Sequence, residues 1–400
     1  MTNIAILGFG VVGGGVAELL TNNYSEAKRL GGDEIHIKYI LDLRDFPSSP
    51  FADRVIHDYN IILSDPEVDC VIEVMGGSHP AYEYTVAALR AGKSVITSNK
   101  EVVAKYGDEF LRIARETGAC YRFEAAVGGG IPVISPMISC IGQNKITEVR
   151  GILNGTTNYI LTKMFSFGDT FEESLLDAQN RGYAERNPDS DVLGIDACRK
   201  IAILTALASG ELVSTDKIHT EGITAIRRED VLRAASVGLS IKLLGRCIII
   251  DGGMQVMVAP FMIGADSPLA GVSGVYNAVE VVGEPIGNVM FYGQGAGSGA
   301  TASAVVGDLM QIMRSGRNYA EPVFVKSDDR LLDFERFRSK HYLALCGAAK
   351  ADVEAALGSV EIISEGEELA IITGELSEGE LKAGIEKLTS ATLKSKIRLI

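Results

Sequence analysis

The chain has 400 residues, 46% of them apolar, with 44 glycines and a net charge of −14 whose acids and bases are interspersed. That length exceeds one compact core, so two or three domains are expected, and the acidic balance argues against nucleic acid or an anionic membrane as a main partner. Six singly scattered cysteines fit reduced thiols better than a disulfide scaffold or a structural zinc; with no apolar run long enough to span a bilayer and no secretory signal at Met1-Thr2-Asn3-Ile4, a cytoplasmic location is expected.

Residues 3–130 alternate short apolar runs with amphipathic segments. Strands are predicted at 4–7, 37–41, 70–74, 94–97 and 120–123, and helices at 12–20, 82–91 and 101–117. Such alternation predicts an α/β fold opening with a Rossmann-type, doubly wound parallel sheet. Gly8-Phe9-Gly10-Val11-Val12-Gly13 stands between the first strand and its helix. There Gly8 would make the tight turn, Gly10 would let a pyrophosphate approach, and Gly13 would let helix and strand pack closely. A dinucleotide is the expected ligand.

The second strand ends in Leu41-Asp42-Leu43-Arg44-Asp45. An acid here would bind the ribose 2′-hydroxyl of NAD and an arginine the 2′-phosphate of NADP, so cofactor choice stays open. The next strands end in Met75-Gly76-Gly77-Ser78-His79-Pro80 and Thr97-Ser98-Asn99-Lys100, on the carboxyl edge where ligands of such sheets bind. Gly76 would leave room for a nicotinamide or only initiate a helix. His79 reads as a cap or surface residue. Lys100 could touch a carbonyl oxygen being reduced or help cap the next helix. Glu124 to Pro132, with three consecutive glycines, offers backbone carbonyls and one carboxylate; that suits a hard cation or a plain crossover between domains.

From residue 131 the pattern becomes mixed. Helices are predicted at 132–141, 157–165, 172–180 and 195–209, then strands at 246–250, 255–260, 276–282 and 288–292, giving a central α+β domain over 131–292. Asn154-Gly155-Thr156-Thr157-Asn158 reads as a capping turn whose polar groups could also recognise a carboxylate. Further on, Gly182-Tyr183-Ala184-Glu185 precedes Gly194-Ile195-Asp196-Ala197-Cys198-Arg199-Lys200. Asp196 and Lys200, four apart, share one helix face. They form either a surface ion pair or, with Glu185, a clamp for an ammonium beside a proton donor. A glycine loop at 293–299 and a helix at 301–313 follow. Residues 321–340 read as a linker. The order βαββαβ over 341–400 is that of a small ferredoxin-like, ACT-like module.

Taken in order, GFGVVG (8–13), SNK (98–100), EAAVGGGIP (124–132), GILNGTTNYIL (151–161), GYAE (182–185), GIDACRK (194–200) and GQGAG (293–297) closely resemble the homoserine dehydrogenase family over residues 1–320. The resemblance implies NAD(P)-dependent interconversion of L-homoserine and L-aspartate 4-semialdehyde, on the route to threonine and methionine. By the same resemblance Lys200 protonates the aldehyde oxygen and Lys100 sits at substrate and nicotinamide. Glu185 and Asp196 hold the substrate's amino group, with Gly182, Tyr183, Asn154 and Thr156 around it. The cofactor set is Gly8, Phe9, Gly10, Val12, Gly13, Arg44, Gly76, Thr97, Ser98, Lys100, Gly182 and Gly297. A monovalent cation, sodium in the family, maps to Glu124, Val127, Gly129 and Ile131, mainly through backbone oxygens. A homodimer or homotetramer is implied, with a catalytic and dimerisation role for 131–292 and with 293–320 completing the nucleotide-binding domain of 1–130.

The C-terminal module lacks the Asp-x-Pro-Gly-like loop of ACT modules, carrying Cys346-Gly347-Ala348-Ala349-Lys350 instead. Amino-acid feedback and oligomerisation therefore stand as alternative roles. Two rival readings remain: a non-catalytic cofactor-sensing regulator, which would not need Glu185, Asp196 and Lys200, and a different semialdehyde or hydroxy-acid dehydrogenase, which would not need an ammonium site.

Overall fold

Six strands build the first sheet: β1 (Thr2–Leu7), β2 (Ile35–Leu41), β3 (Val55–Ile56), β4 (Cys70–Glu73), β5 (Ser94–Thr97) and β6 (Tyr121–Arg122). All pair in parallel, in the order β3-β2-β1-β4-β5-β6. The order reverses between β1 and β4, and that switch point opens a ligand crevice at their carboxyl ends. Every residue of β4 is buried, as a parallel sheet covered on both faces requires. The helices Val11–Asn22, Ala81–Arg90 and Lys100–Thr117 stand where the apolar spacing places them. The two-residue β3 and the short helices Tyr24–Gly31 and Tyr59–Ser64 were not foreseen; runs this short carry too few turns for a period to register.

This computed structural model describes residues 1–315 and 321–400; the last five residues of the segment 293–320 lie outside the described residues. Two compact units emerge, the first comprising Met1–Lys145, Ala202–Thr215 and Gly293–Asp328. Residues 131–145 thus cluster with the nucleotide-binding sheet, where a boundary at 130 was expected. One cause is visible: the Glu124 carboxylate accepts from the backbone N–H groups of Val133, Ile134 and Ser135, at 2.7, 2.8 and 2.6 Å. The helix Ser298–Ser315 lies against Val11–Asn22. A Cβ on Gly15 would come within 2.6 Å of Ser298 Oγ, and that hydroxyl donates to the Val11 carbonyl at 2.8 Å.

The second unit comprises Ile146–Ile201, Asp216–Tyr292 and Asp329–Ile400. In chain order the remaining strands are β7 (Lys145–Ile152), β8 (Glu211–Leu212), β9 (His219–Thr220), β10 (Leu239–Ile250), β11 (Gly253–Gly264), β12 (Tyr276–Glu284) and β13 (Gly287–Gln294). They continue with β14 (Val325–Lys326), β15 (Arg338–Cys346), β16 (Val360–Ser364), β17 (Glu368–Thr373), β18 (Leu376–Ser377) and β19 (Thr392–Leu399). One large mixed sheet runs β13-β12-β7-β10-β11-β19-β15-β17-β16. Its long hairpin β10–β11 is antiparallel over twelve residue pairs.

The C-terminal segment has the expected ferredoxin-like order, with strands β19-β15-β17-β16 and the helices Lys350–Leu357 and Glu378–Lys387. Yet β19 pairs in parallel with β11, joining Phe261 to Arg398 and Met262 to Leu399. The module therefore extends the central sheet instead of standing apart. The stretch expected as a linker is also structured: β14 pairs with β8 in the first unit, and Leu331 bridges to Met254 in the second. Charged composition at 326–340 had masked these pairings, which form with partners remote in sequence.

Candidate active site

The cofactor side is built on the first unit's carboxyl edge. Gly8 has φ +93°, and a Cβ on Gly13 would sit 2.0 Å from the Gly8 carbonyl oxygen, so that turn closes only around glycines. A Cβ on Gly10 would meet nothing within 4 Å. The open side of the turn is the one a pyrophosphate would approach, at the N-terminus of Val11–Asn22. Phe9 donates its backbone N–H to Asp42 Oδ2 at 2.7 Å. Both Asp42 oxygens also accept from the Arg44 guanidinium, each at 3.0 Å. Arg44 leads the causes that drive the Asp42 carboxyl far below its usual range; burial opposes the shift. Asp42 and Arg44 line a cleft of about 480 Å³ with Gly8, Gly10, Met75 and Gly76. Its shape and its donor set fit a dinucleotide.

Beneath this edge lies a network that sequence reading missed. Glu73, the last residue of β4, is fully buried. It accepts from the Thr97 hydroxyl at 2.6 Å and the Met75 N–H at 2.8 Å. Thr97 Oγ1 in turn accepts from the Asn99 N–H at 2.9 Å, and Asn99 Nδ2 donates to the Gly77 carbonyl at 2.7 Å. Asn99 also caps the helix that Lys100 begins. Thr97 therefore supports the loop from below, while Gly76 lines the cleft, Ser98 and Lys100 are half-buried, and Val12 follows the glycine turn. His79 is exposed and bonded to Glu83 Oε1 at 2.6 Å. Nothing local in the run Cys70-Val71-Ile72-Glu73 distinguishes its acid from a surface residue; only strand pairing puts it under β5.

Burial raises the Glu73 carboxyl to about 7 against the opposing pull of Thr97, Met75 and Asn99. A raised folded pKa means that the neutral form's advantage is complete below about 4.5 and is lost as pH rises through 7. Glu73→Gln, which does not titrate, should therefore gain on wild type by roughly 3 kcal/mol between pH 4.5 and 8. Chemical denaturation at those two pH values checks it; a constant difference between the two proteins would rule the shift out.

The loop proposed for a cation is also in the first unit. Glu124, Val127, Gly128, Gly129 and Ile131 are buried. Gly128 and Gly129 have φ +76° and +57°, and a Cβ on Gly129 would come within 2.6 Å of the Gly295 carbonyl group. Among the described residues, no hydrogen bond to the backbone oxygens of Val127, Gly129 or Ile131 is present. Buried carbonyls normally find a donor, so these three fit the coordination of a hard cation. Gly297, at φ +118°, ends the glycine loop whose Gly295 faces Gly129.

In the second unit, the start of the helix Gly155–Phe167 organises the charged residues. Asn154 Oδ1 caps the helix by accepting from the Thr157 N–H at 2.9 Å. Its Nδ2 donates to Asp191 Oδ1 at 2.7 Å and to Asp196 Oδ2 at 2.9 Å. The capping role and a site role are thus combined in one side chain. Lys200 Nζ donates to Asp196 Oδ2 and to the Leu153 carbonyl, both at 2.7 Å. Asp196 and Lys200 are only 5% and 8% exposed, which excludes the surface ion pair as the description of this contact. The Thr156 hydroxyl donates to the Tyr183 carbonyl at 2.6 Å, tying the Gly182–Glu185 loop to the same helix start. Gly182 has φ +76°; Glu185 is exposed, its carbonyl accepting from Gln179 at 3.0 Å.

Asp191 is the other residue missed. Burial, and next the carboxylate of Asp196, raise its pKa, while Asn154 opposes the shift. It belongs to the separate short helix Asp189–Val192. No helical spacing relates it to Asp196, so only the fold brings the two acids onto one asparagine.

Two family models match the chain: one described as homoserine dehydrogenase, over residues 132–310, and one as homoserine dehydrogenase, NAD binding domain, over residues 8–124. A homoserine dehydrogenase of Synechocystis sp. is 37% identical over 416 aligned residues, covering 96% of this chain and 95% of its own length. The homoserine dehydrogenase of Bacillus subtilis is 39% identical, covering 81% and 77%. Among solved structures, a homoserine dehydrogenase from Thiobacillus denitrificans has a TM-score of 0.91 at 36% identity, covering 100% of this chain and 98% of its own. A hyperthermophilic archaeal homoserine dehydrogenase in complex with NADPH has a TM-score of 0.67 at 27% identity, with 80% and 99% covered.

Proposed function

This chain belongs to the homoserine dehydrogenase family and is an NAD(P)-dependent oxidoreductase, and from that premise we propose how its residues carry out the reaction. The substrate pair is L-homoserine and L-aspartate 4-semialdehyde, on the route to threonine and methionine. A bound nicotinamide supplies or accepts the hydride. Lys200 gives its proton to the aldehyde oxygen during reduction and takes it back during oxidation, while positive charge beside that oxygen stabilises the developing alkoxide. Asp196, with Glu185, holds the substrate's ammonium, and Asn154 keeps Asp191 and Asp196 in register. Tyr183 and Thr156 shape the loop that Gly182 turns. Lys100 sits where substrate meets nicotinamide.

The observation that carries this reading is the Lys200–Asp196–Asn154–Asp191 chain, buried except for the half-buried Asp191. A lysine so placed has a carboxylate and a backbone carbonyl to orient it. NAD(P)H formation from L-homoserine at alkaline pH tests the activity, with 4-hydroxybutyrate, which keeps the oxidisable hydroxyl, as the control lacking an ammonium. Equal turnover of both compounds would remove the ammonium clamp.

Running the assay with NAD and NADP in parallel tests Arg44. Its exposed guanidinium, steadied by Asp42, suits a 2′-phosphate. Arg44→Ala is expected to raise KM for NADP about tenfold, the scale of one charge-assisted hydrogen bond, and to change KM for NAD less than threefold. Equal changes would leave Arg44 no part in phosphate recognition.

The backbone oxygens of Glu124, Val127, Gly129 and Ile131 would hold a monovalent cation, sodium by family resemblance, which would brace two glycine loops rather than enter the chemistry. Exchanging sodium for tetramethylammonium should lower the thermal midpoint of the first unit; an unchanged midpoint would argue against the site. Assembly as a homodimer or homotetramer, with the C-terminal module serving either regulation or association, completes the proposal. Light scattering, with and without threonine, reads both.

A further inference from the structure

The second unit contains a cleft of about 340 Å³ that the reaction above does not use. Leu161 and Phe165 of the helix Gly155–Phe167 give it an apolar wall, and Leu239 and Ile241 of β10 border it. Lys242 of β10 also lines it and is 5% exposed. Lys242 Nζ donates to the Val272 carbonyl at 2.5 Å and to Asn158 Oδ1 at 3.3 Å. Among the described residues it has no carboxylate partner, and none of the residues lining the cleft is acidic. Burial by itself lowers its ammonium to about 8, so the group is still mostly charged at pH 7. Ser240, two residues earlier and hence on the same face of the strand, also lines the cleft, and its buried hydroxyl has no hydrogen-bond partner.

A buried ammonium is costly unless charge or hydrogen bonds compensate it. Two neutral carbonyl groups compensate this one in part, and an anion in the cleft would complete the compensation. We propose that this cleft is a binding site for a small monocarboxylate with a short apolar tail, its carboxylate on Lys242 and Ser240 and its tail against Leu161 and Phe165. The lack of an acid sets the specificity. An α-amino acid would bring a second ammonium next to Lys242 with no carboxylate to neutralise it, so homoserine and its aldehyde are excluded here. Inorganic phosphate would leave the apolar wall without a contact. The site is therefore distinct in chemistry from the Asp191–Asp196–Lys200 cluster, which is rich in acid.

Calorimetric titration of the full chain at pH 7 with n-butyrate tests the proposal. Saturable binding is expected in about the millimolar range or tighter. L-2-aminobutyrate, the same skeleton with an ammonium added, should bind at least tenfold more weakly. Lys242→Met should weaken butyrate at least tenfold. Because that change also removes the bonds to Val272 and Asn158, Ser273→Tyr serves as a second variant: Ser273 is an exposed residue of the rim, and a tyrosine there would block the cleft with Lys242 intact. The proposal is overturned if wild type gives no saturable heat, if aminobutyrate binds as well as butyrate, or if Ser273→Tyr binds butyrate like wild type.

Discussion

Replacing Lys200 by alanine is expected to lower kcat for L-homoserine oxidation about 10³-fold, within the range lost with a positioned acid–base group. Binding of NADPH, measured by its fluorescence, should change less than twofold, because the dinucleotide cleft is built from residues 8–84. The reasoning rests on placement. Lys200 Nζ, 8% exposed, is held by Asp196 and the Leu153 carbonyl, so its ammonium is oriented before substrate arrives. Pre-orientation of this kind is what a charge developing on oxygen rewards. The variant deprives buried Asp196 of its ammonium partner, at a cost of about 1–3 kcal/mol, so activity must be read well below the melting temperature. A kcat within tenfold of wild type, in protein of native ellipticity, would transfer the proton step to another group, Lys100 first. Partial rescue of the alanine variant by added methylamine would return it to Lys200.

Replacing Arg398 by methionine should give the largest loss of stability, about 3–5 kcal/mol in the second unit, as for other buried ion pairs broken from one side. Arg398, on β19, is fully buried. Its Nε donates to Glu378 Oε1 at 2.5 Å, and Nη1 and Nη2 donate to the two oxygens of Glu221 at 2.8 Å each. Glu378 also binds His341 and Lys396, and Glu221 also binds His219. The guanidinium lies 5.1 Å from the centre of the Phe334 ring, on which His219 stacks at 3.4 Å.

Burial alone would raise the Glu378 carboxyl, but His341, Arg398 and Lys396 outweigh it and lower the pKa to about 2. A depressed folded pKa contributes stability that is fully present above about 4.5 and is lost as pH falls toward 2. Wild type should therefore lose stability across that window, and Arg398→Met should show a shallower decline. Calorimetric melting from pH 2 to 7 measures both effects. A midpoint lowered by less than 2 °C would mean that the cluster contributes little to docking the C-terminal strands.

Much of the first unit was legible because its signals are local. A parallel strand buried on both faces must be an apolar run, and Cys70-Val71-Ile72 and Val95-Ile96 are such runs. A glycine turn that tolerates no Cβ must keep its glycines, as Gly13 against the Gly8 oxygen illustrates. Spacing likewise predicted that Asp196 and Lys200 would meet, since four residues return a helix to the same face. What remained hidden was whatever depends on two remote segments. Burial, not spacing, separates the Asp196–Lys200 contact from a common surface pair, and it is conferred by the segment around Leu153 and Asn154 packing over the helix.

Sequence alone determined the alternation of elements, the nucleotide turn and the family, because periodicity, glycine sterics and motif order are written along the chain. Tertiary structure alone decided that Asn154 joins Asp191 to Asp196, that Glu73 supports Asn99 from below, and that β19 extends the central sheet. It also decided that Lys242 is enclosed without an acid. The physical reason is common to all four: each depends on burial and on a partner far away in sequence, and the energy of a charge or a polar group is set by its surroundings in space.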